Sequence, residues 1–187
     1  MANESVFVET AHRLIERELK GQPLIVRRKA ALLYQVRVDN ELRVMSPEAI
    51  RQPKRGTSAF ETDLCIFEQT SPEVLLPRIV LEFKTKVTTH DVLTYSTKAE
   101  RHKTIYPYLR YGLICSDEKH VPGRFFLHNE GIDFCLCSSG LSDADVSAKF
   151  AAILREELEC SRLLEKVAFG QAKARVYRSH VSLTDGA

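Results

Sequence analysis

Arg78-Ile79-Val80-Leu81-Glu82-Phe83-Lys84 is the stretch on which the reading of this chain turns. As a β-strand, it sends Leu81 and Phe83 to one face and Glu82 and Lys84 to the other, because side chains alternate with period two. The preceding run, Phe60-Glu61-Thr62-Asp63-Leu64-Cys65-Ile66-Phe67, reads as a second strand. There Leu64 and Ile66 share one face, opposite Asp63, Cys65 and Phe67. The segment between, Gln69 to Pro77, carries Ser71-Pro72 and Pro77 and suits a loop joining antiparallel strands. If that loop is centred on Pro72 or Glu73, Asp63 stands opposite Glu82 or its neighbour, Cβ to Cβ at roughly 5 Å. Two carboxylates and one ammonium then converge between apolar flanks.

Such a trio is costly to assemble. Two carboxylates about 4 Å apart repel by roughly 4 kcal/mol at an effective dielectric near 20. One lysine leaves the set at net −1, so either a carboxylate takes up a proton or a cation binds. A few hard oxygen donors, with water completing an octahedron, favour Mg²⁺, or Mn²⁺ as its substitute, over zinc. A divalent ion beside a lysine suits attack on a phosphodiester: the ion neutralises the phosphate, and the lysine orients water or stabilises developing charge.

Around these strands the pattern predicts further elements. Glu4 to Lys20 reads as a helix with Phe7, Ala11, Leu14, Ile15 and Leu19 on one stripe, stopped by Gly21 and Pro23. Pro23 to Asp39 alternates as a strand or strand pair, Asp39-Asn40 is a turn, and Leu42 to Met45 continues a meander. Ser46 to Ser58 is a polar connector. Thr88 or Thr89 caps a second helix reaching about Tyr106, with Val92, Tyr95, Ala99, His102 and Tyr106 facing inward. Tyr111 to Cys115 is a short, continuously apolar strand of the kind buried in parallel pairing. Arg124–Leu127 and Ile132–Cys137 read as a hairpin around His128-Asn129-Glu130-Gly131, and Ser142 to Val167 as a third long helix. Gly170 to Ala187 is polar and basic and stays unassigned.

Asp63, eighteen further residues and then Glu82-Phe83-Lys84 resemble the Asp and Glu-X-Lys signature of the PD-(D/E)XK nuclease superfamily, the restriction-endonuclease-like fold. The resemblance implies an α/β fold: an αβββαβ core over about residues 6–115, with a mixed central sheet flanked by helices. Residues 116–187 would add the hairpin and helix within one domain. It implies Asp63, Glu82 and Lys84 as catalytic residues, with Asp63, Glu82 and the backbone carbonyl of Phe83 as metal ligands. Thr62 stands where the family name has proline. Glu9 resembles the glutamate that some members carry on the first helix as a water-mediated ligand, although a solvated surface glutamate fits its wheel position too; Glu18 lies nearer the apolar face. The implied activity is Mg²⁺-dependent DNA endonuclease, of restriction, defence or repair type, leaving 5′-phosphates. An RNA substrate, or a catalytically silent DNA-binding or assembly subunit, is the alternative. Cutting both strands of a duplex by so small a protein implies a homodimer.

The remaining residues narrow the reading. A net charge of +2 announces no partner by itself. The cations Arg51, Lys54, Arg55, Lys86, Lys98 and Arg101 nevertheless fall before Tyr106 and suit phosphate contacts. Lys86 is favoured among them, because it continues the face of Glu82 and Lys84. His102 reads as a core histidine and Tyr95 as packing. Five cysteines without framework spacing, and an N-terminus with no apolar run, point to reduced thiols in the cytoplasm and no membrane partner. Cys135 and Cys137 share a strand face but lack structural-zinc spacing and read as inert buried thiols.

Overall fold

The structure is a computed structural model and describes residues 4–44 and 50–177. Met45 and the start of the connector, and the tail from 178 on, lie outside those residues.

Helix α1 (Glu4–Glu18) turns Val8, Ala11 and Ile15 inward and ends before Gly21, whose φ of +85° only glycine adopts freely. The chain then lays down β1 (Leu24–Arg28), β2 (Ala31–Leu33), β3 (Ala59–Glu61), β4 (Leu64–Ser71) and β5 (Val74–Lys84). Helix α2 (Thr89–Ile105) follows, then β6 (Arg110–Cys115), α3 (Gly123–His128), β7 (Phe134–Cys137) and α4 (Asp143–Ala168). Five strands form one sheet in the order β1-β4-β5-β6-β7, while β2 and β3 pair separately. β1, β4 and β5 are antiparallel; β6 and β7 run parallel to β5, so the sheet is mixed. Read through the central sheet, α1-β1-β4-β5-α2-β6 is the expected αβββαβ order, with β2 and β3 as an excursion from it.

Helices cover both faces. α1 and α4 pack on the side of Leu64, Ile66, Ile79, Leu81 and Phe83. α2 and α3 cover the side of Cys65, Phe67, Val80, Tyr111 and Leu113. α2 starts with a capping box in which Thr88 and Asp91 satisfy each other's backbone N–H groups.

Three expectations are corrected. Phe60 to Phe67 is two strands: at Thr62 the chain leaves the β2–β3 pair, held by Thr62 N–H and hydroxyl bonds to the Ala30 carbonyl, and enters β4 after Asp63. The loop from Gln69 to Pro77 shrinks to Pro72-Glu73, with Ser71 paired to Val74. Pro77 fits inside β5 because β6 first pairs at Ile79, so no parallel ladder bond is lost there. The C-terminal hairpin does not form either. Phe125 is buried in a short helix, and β7 runs parallel to β6, which demands a crossover. Phe134 fixes that pairing by filling the space over Gly112, where a Cβ would fall 2.2 Å from its ring.

His102 is fully buried on α2, between the rings of Phe60 and Tyr111, each 5.9 Å away by centroid. Burial, with the nearby Lys98 charge, lowers its pKa to about 4. The unfolded chain therefore takes up this proton near its ordinary value of about 6.5, while the folded protein resists until about 4. Stability from this group is complete above that ordinary value and is lost as pH falls towards 4, by about 2 kcal/mol at pH 5. Urea unfolding at pH 7 and 5 should show that slope flattened in His102→Phe, carboxylate contributions cancelling in the comparison. An unchanged slope would show that the histidine takes up its proton at the same pH in the folded and unfolded states, so that burial does not shift it.

Candidate active site

The site forms where β4 begins and β5 ends. The register pairs Leu64 with Leu81, so Asp63, one step before β4, comes opposite Glu82. Two bonds lock the junction: Phe83 N–H donates to Asp63 Oδ2 at 2.9 Å, and Asp63 N–H reaches Glu82 Oε2 at 3.4 Å. In an extended strand, a residue's N–H and C=O leave on the same side. Phe83's carbonyl is therefore directed towards the β4 side, where Asp63 stands just before that strand begins.

Glu82 is only 2% exposed. Its Oε1 accepts from Lys98 Nζ and from the Tyr111 hydroxyl, both at 2.6 Å. Burial raises its pKa to about 7, Lys98 pulls it down, and the neighbouring Asp63 pushes it up again. Lys98 also donates to the Glu61 carbonyl, so α2 is tied to the end of β3 as well as to β5.

Lys84, on the same face as Glu82, places Nζ 3.1 Å from Glu4 Oε1 at the start of α1. Tyr95 of α2 stands between the two ammonium groups, with Lys84 Nζ 5.8 Å and Lys98 Nζ 5.7 Å from its ring centroid. Burial draws the Lys84 pKa down, but Tyr95 and Glu4 more than offset this, so the net shift is upward. Lys84 is a fixed cation at neutral pH, suited to holding negative charge and not to removing protons.

The structure thus brings Asp63, Glu82, Lys84 and the Phe83 backbone together. Glu9 has other partners: its carboxylate is held by Arg13 and Arg28. Glu18 lies beside Arg17. Arg51 pairs with Glu73 in the β4–β5 turn, nine residues along β5 from Glu82 and so roughly 30 Å away, which removes it from the site. Lys98 is within the centre and not on a peripheral phosphate track. Lys54, Lys86 and Arg101 are exposed. Arg55 and Lys98 border an open cleft of about 850 Å³, which Glu61, His90 and Thr97 also line.

Glu4, Tyr111 and the pairing of Lys98 with Glu82 escaped sequence reasoning. Only one signal was available: a nearly enclosed glutamate needs a cation, and Lys98 flanks the inward stripe of α2.

The donor set fits a hard divalent cation. Its ligands would be oxygens: Glu82 Oε2, engaged among the described residues by the long Asp63 contact, and the Phe83 carbonyl directed to the same side. No protein-family model matches the chain, and neither does any curated protein. Among solved structures, the native BbvCI A2B2 tetramer at low resolution aligns with a TM-score of 0.37 and 19% identity. The alignment covers 81% of this chain and 61% of that one, so this chain spans less than two thirds of it. That likeness is too slight to bear on function.

Proposed function

We propose that this chain is a metal-dependent phosphodiesterase acting on DNA, an endonuclease of restriction, defence or repair type. The observation that carries the reading is the junction of β4 and β5, where backbone N–H groups bond the Asp63 and Glu82 carboxylates across the strands, two residues before Lys84 on β5. Asp63, Glu82 and the Phe83 carbonyl would hold Mg²⁺, with Mn²⁺ as a substitute. The bound cation supplies Lewis acidity at the scissile phosphate. Lys84, kept protonated, orients the attacking water and stabilises charge developing on the phosphate oxygens. Tyr95 and Glu4 hold that ammonium in place. Arg55 at the cleft, with Lys54, Lys86 and Arg101, would meet backbone phosphates, and two copies would cut the two strands of a duplex.

Supercoiled plasmid incubated with Mg²⁺, Mn²⁺ or EDTA tests this reading, followed by mapping of the ends for 5′-phosphate. Cleavage is expected with either metal and none with EDTA. Lys84→Ala should abolish cutting while sparing DNA binding; cutting at the wild-type rate would end the assignment.

The bond between Lys98 and Glu82 favours a second reading, in which these charges form a structural ion network and the chain is a silent DNA-binding or assembly subunit. Calorimetric titration with Mn²⁺ separates the two. The hydrolytic reading requires binding that Asp63→Asn removes, and the structural reading requires no binding at all.

A further inference from the structure

Parallel pairing of β6 with β7 does more than extend the sheet. The register sets Cys115 beside Cys137 and Leu113 beside Cys135, and all three cysteines face the α2 side. Their sulfur atoms lie within 4.8 Å of one another. Tetrahedral thiolate coordination at about 2.3 Å per bond needs sulfurs roughly 3.8 Å apart, so a small contraction closes the set on one ion. None of the three is in a disulfide. Two loops bracket the cluster. Ser138 donates both its N–H and its hydroxyl to the Cys115 carbonyl, and Ser139 N–H reaches the Glu118 carbonyl across the gap. His120, exposed on the loop after β6, acts electrostatically on Cys137 but lies outside the 4.8 Å group.

We propose that Cys115, Cys135 and Cys137 form a binding site for one thiophilic divalent cation, Zn²⁺, with the fourth position supplied by His120 or water. Three soft sulfurs exclude Mg²⁺, so this site is chemically separate from the oxygen donors around Asp63. Cys115 and Cys135 both stand within hydrogen-bonding reach of Cys137, so the three thiols already converge on one point. Binding releases to solvent the protons that the three thiols carry and leaves a Zn(S⁻)₃ unit of net −1. The ion would also brace the hydrolytic junction. Cys115 is the register partner of Lys84, and the N–H groups of Ser116 and Asp117 hold the carbonyls of Lys84 and Thr85.

The test is titration of the reduced full chain with Co²⁺, followed by Zn²⁺. Expected are one Co²⁺ per chain, sulfur-to-cobalt charge-transfer absorption in the near ultraviolet, its displacement by Zn²⁺, and no displacement by excess Mg²⁺. Cys137→Ser and Cys115→Ser should each weaken Zn²⁺ binding at least about 100-fold. Asp63→Asn should leave the signal intact, so failure here and failure of the hydrolytic reading are told apart. Cys137 is half-buried on a short strand, and circular dichroism verifies that its variant folds. Absence of charge-transfer absorption in folded, fully reduced wild-type protein would overturn the proposal, as would a signal undiminished in both variants.

Discussion

Asp63→Asn is expected to lower plasmid cleavage in Mg²⁺ on the order of 10³-fold or more, with thermal stability almost unchanged. The amide keeps an oxygen that accepts the Phe83 N–H, so the strand junction survives. What disappears is one negative charge facing Glu82 and the open side of the Phe83 carbonyl. Affinity for Mn²⁺ should fall together with rate, whereas binding to a short duplex in EDTA should hold or tighten once the charge facing the phosphates is gone. Because structure and charge are separated in this variant, the result is decisive. A rate within tenfold of wild type would mean that Asp63 holds β4 to β5 and nothing more.

Arg78→Ala is expected to cost about 3–5 kcal/mol, a large share of a typical domain's stability. Arg78 is only 3% exposed and is the extra residue of a β-bulge, between Pro77 opposite Phe67 and Ile79 opposite Ile66. The bulge aims it at two acids. Its Nη2 lies 2.7 Å from Glu68 and 2.6 Å from Glu165 of α4, and its guanidinium sits 5.2 Å over the Tyr108 ring. Arg162 of α4 closes the network on the other oxygen of Glu68. Removing Arg78 leaves Glu165 without that partner and Glu68 with one cation, both beside buried surface. Arg78→Lys should recover only part of the loss, because an ammonium cannot reproduce the planar fork. Chemical unfolding of both variants, with Glu165→Gln and the double variant to complete a cycle, measures the coupling. A loss below about 1 kcal/mol for Arg78→Ala would show the network to be surface decoration.

The helices were legible in the chain because their apolar stripes, caps and stops are local. Thr88, one of the two expected caps, caps α2, and α4 begins after its cap Ser142, where the helix was expected to start. The hairpin proposed for Arg124 to Cys137 failed for a related reason. Phe125, Phe126 and Leu127 are apolar without period, and a run that short cannot tell one helical turn from a strand. Parallel pairing of β7 with β6 depends on what covers Gly112, and that is not a local property.

The chain by itself determined which side of β5 carries Glu82 and Lys84, because alternation along a strand is fixed by backbone geometry. It also determined that Asp63 could meet them, since a connection centred on Pro72 or Glu73 sets Asp63 opposite Glu82 or its neighbour; the structure tightened that loop to Pro72-Glu73. Tertiary structure alone decided the partners of those charges. Lys98 reaches Glu82, Glu4 reaches Lys84 and Cys115 joins Cys135 and Cys137 through helices and strands distant in sequence. A low-dielectric interior forces each buried charge to find an opposite one nearby, but it does not specify from which element that charge must come.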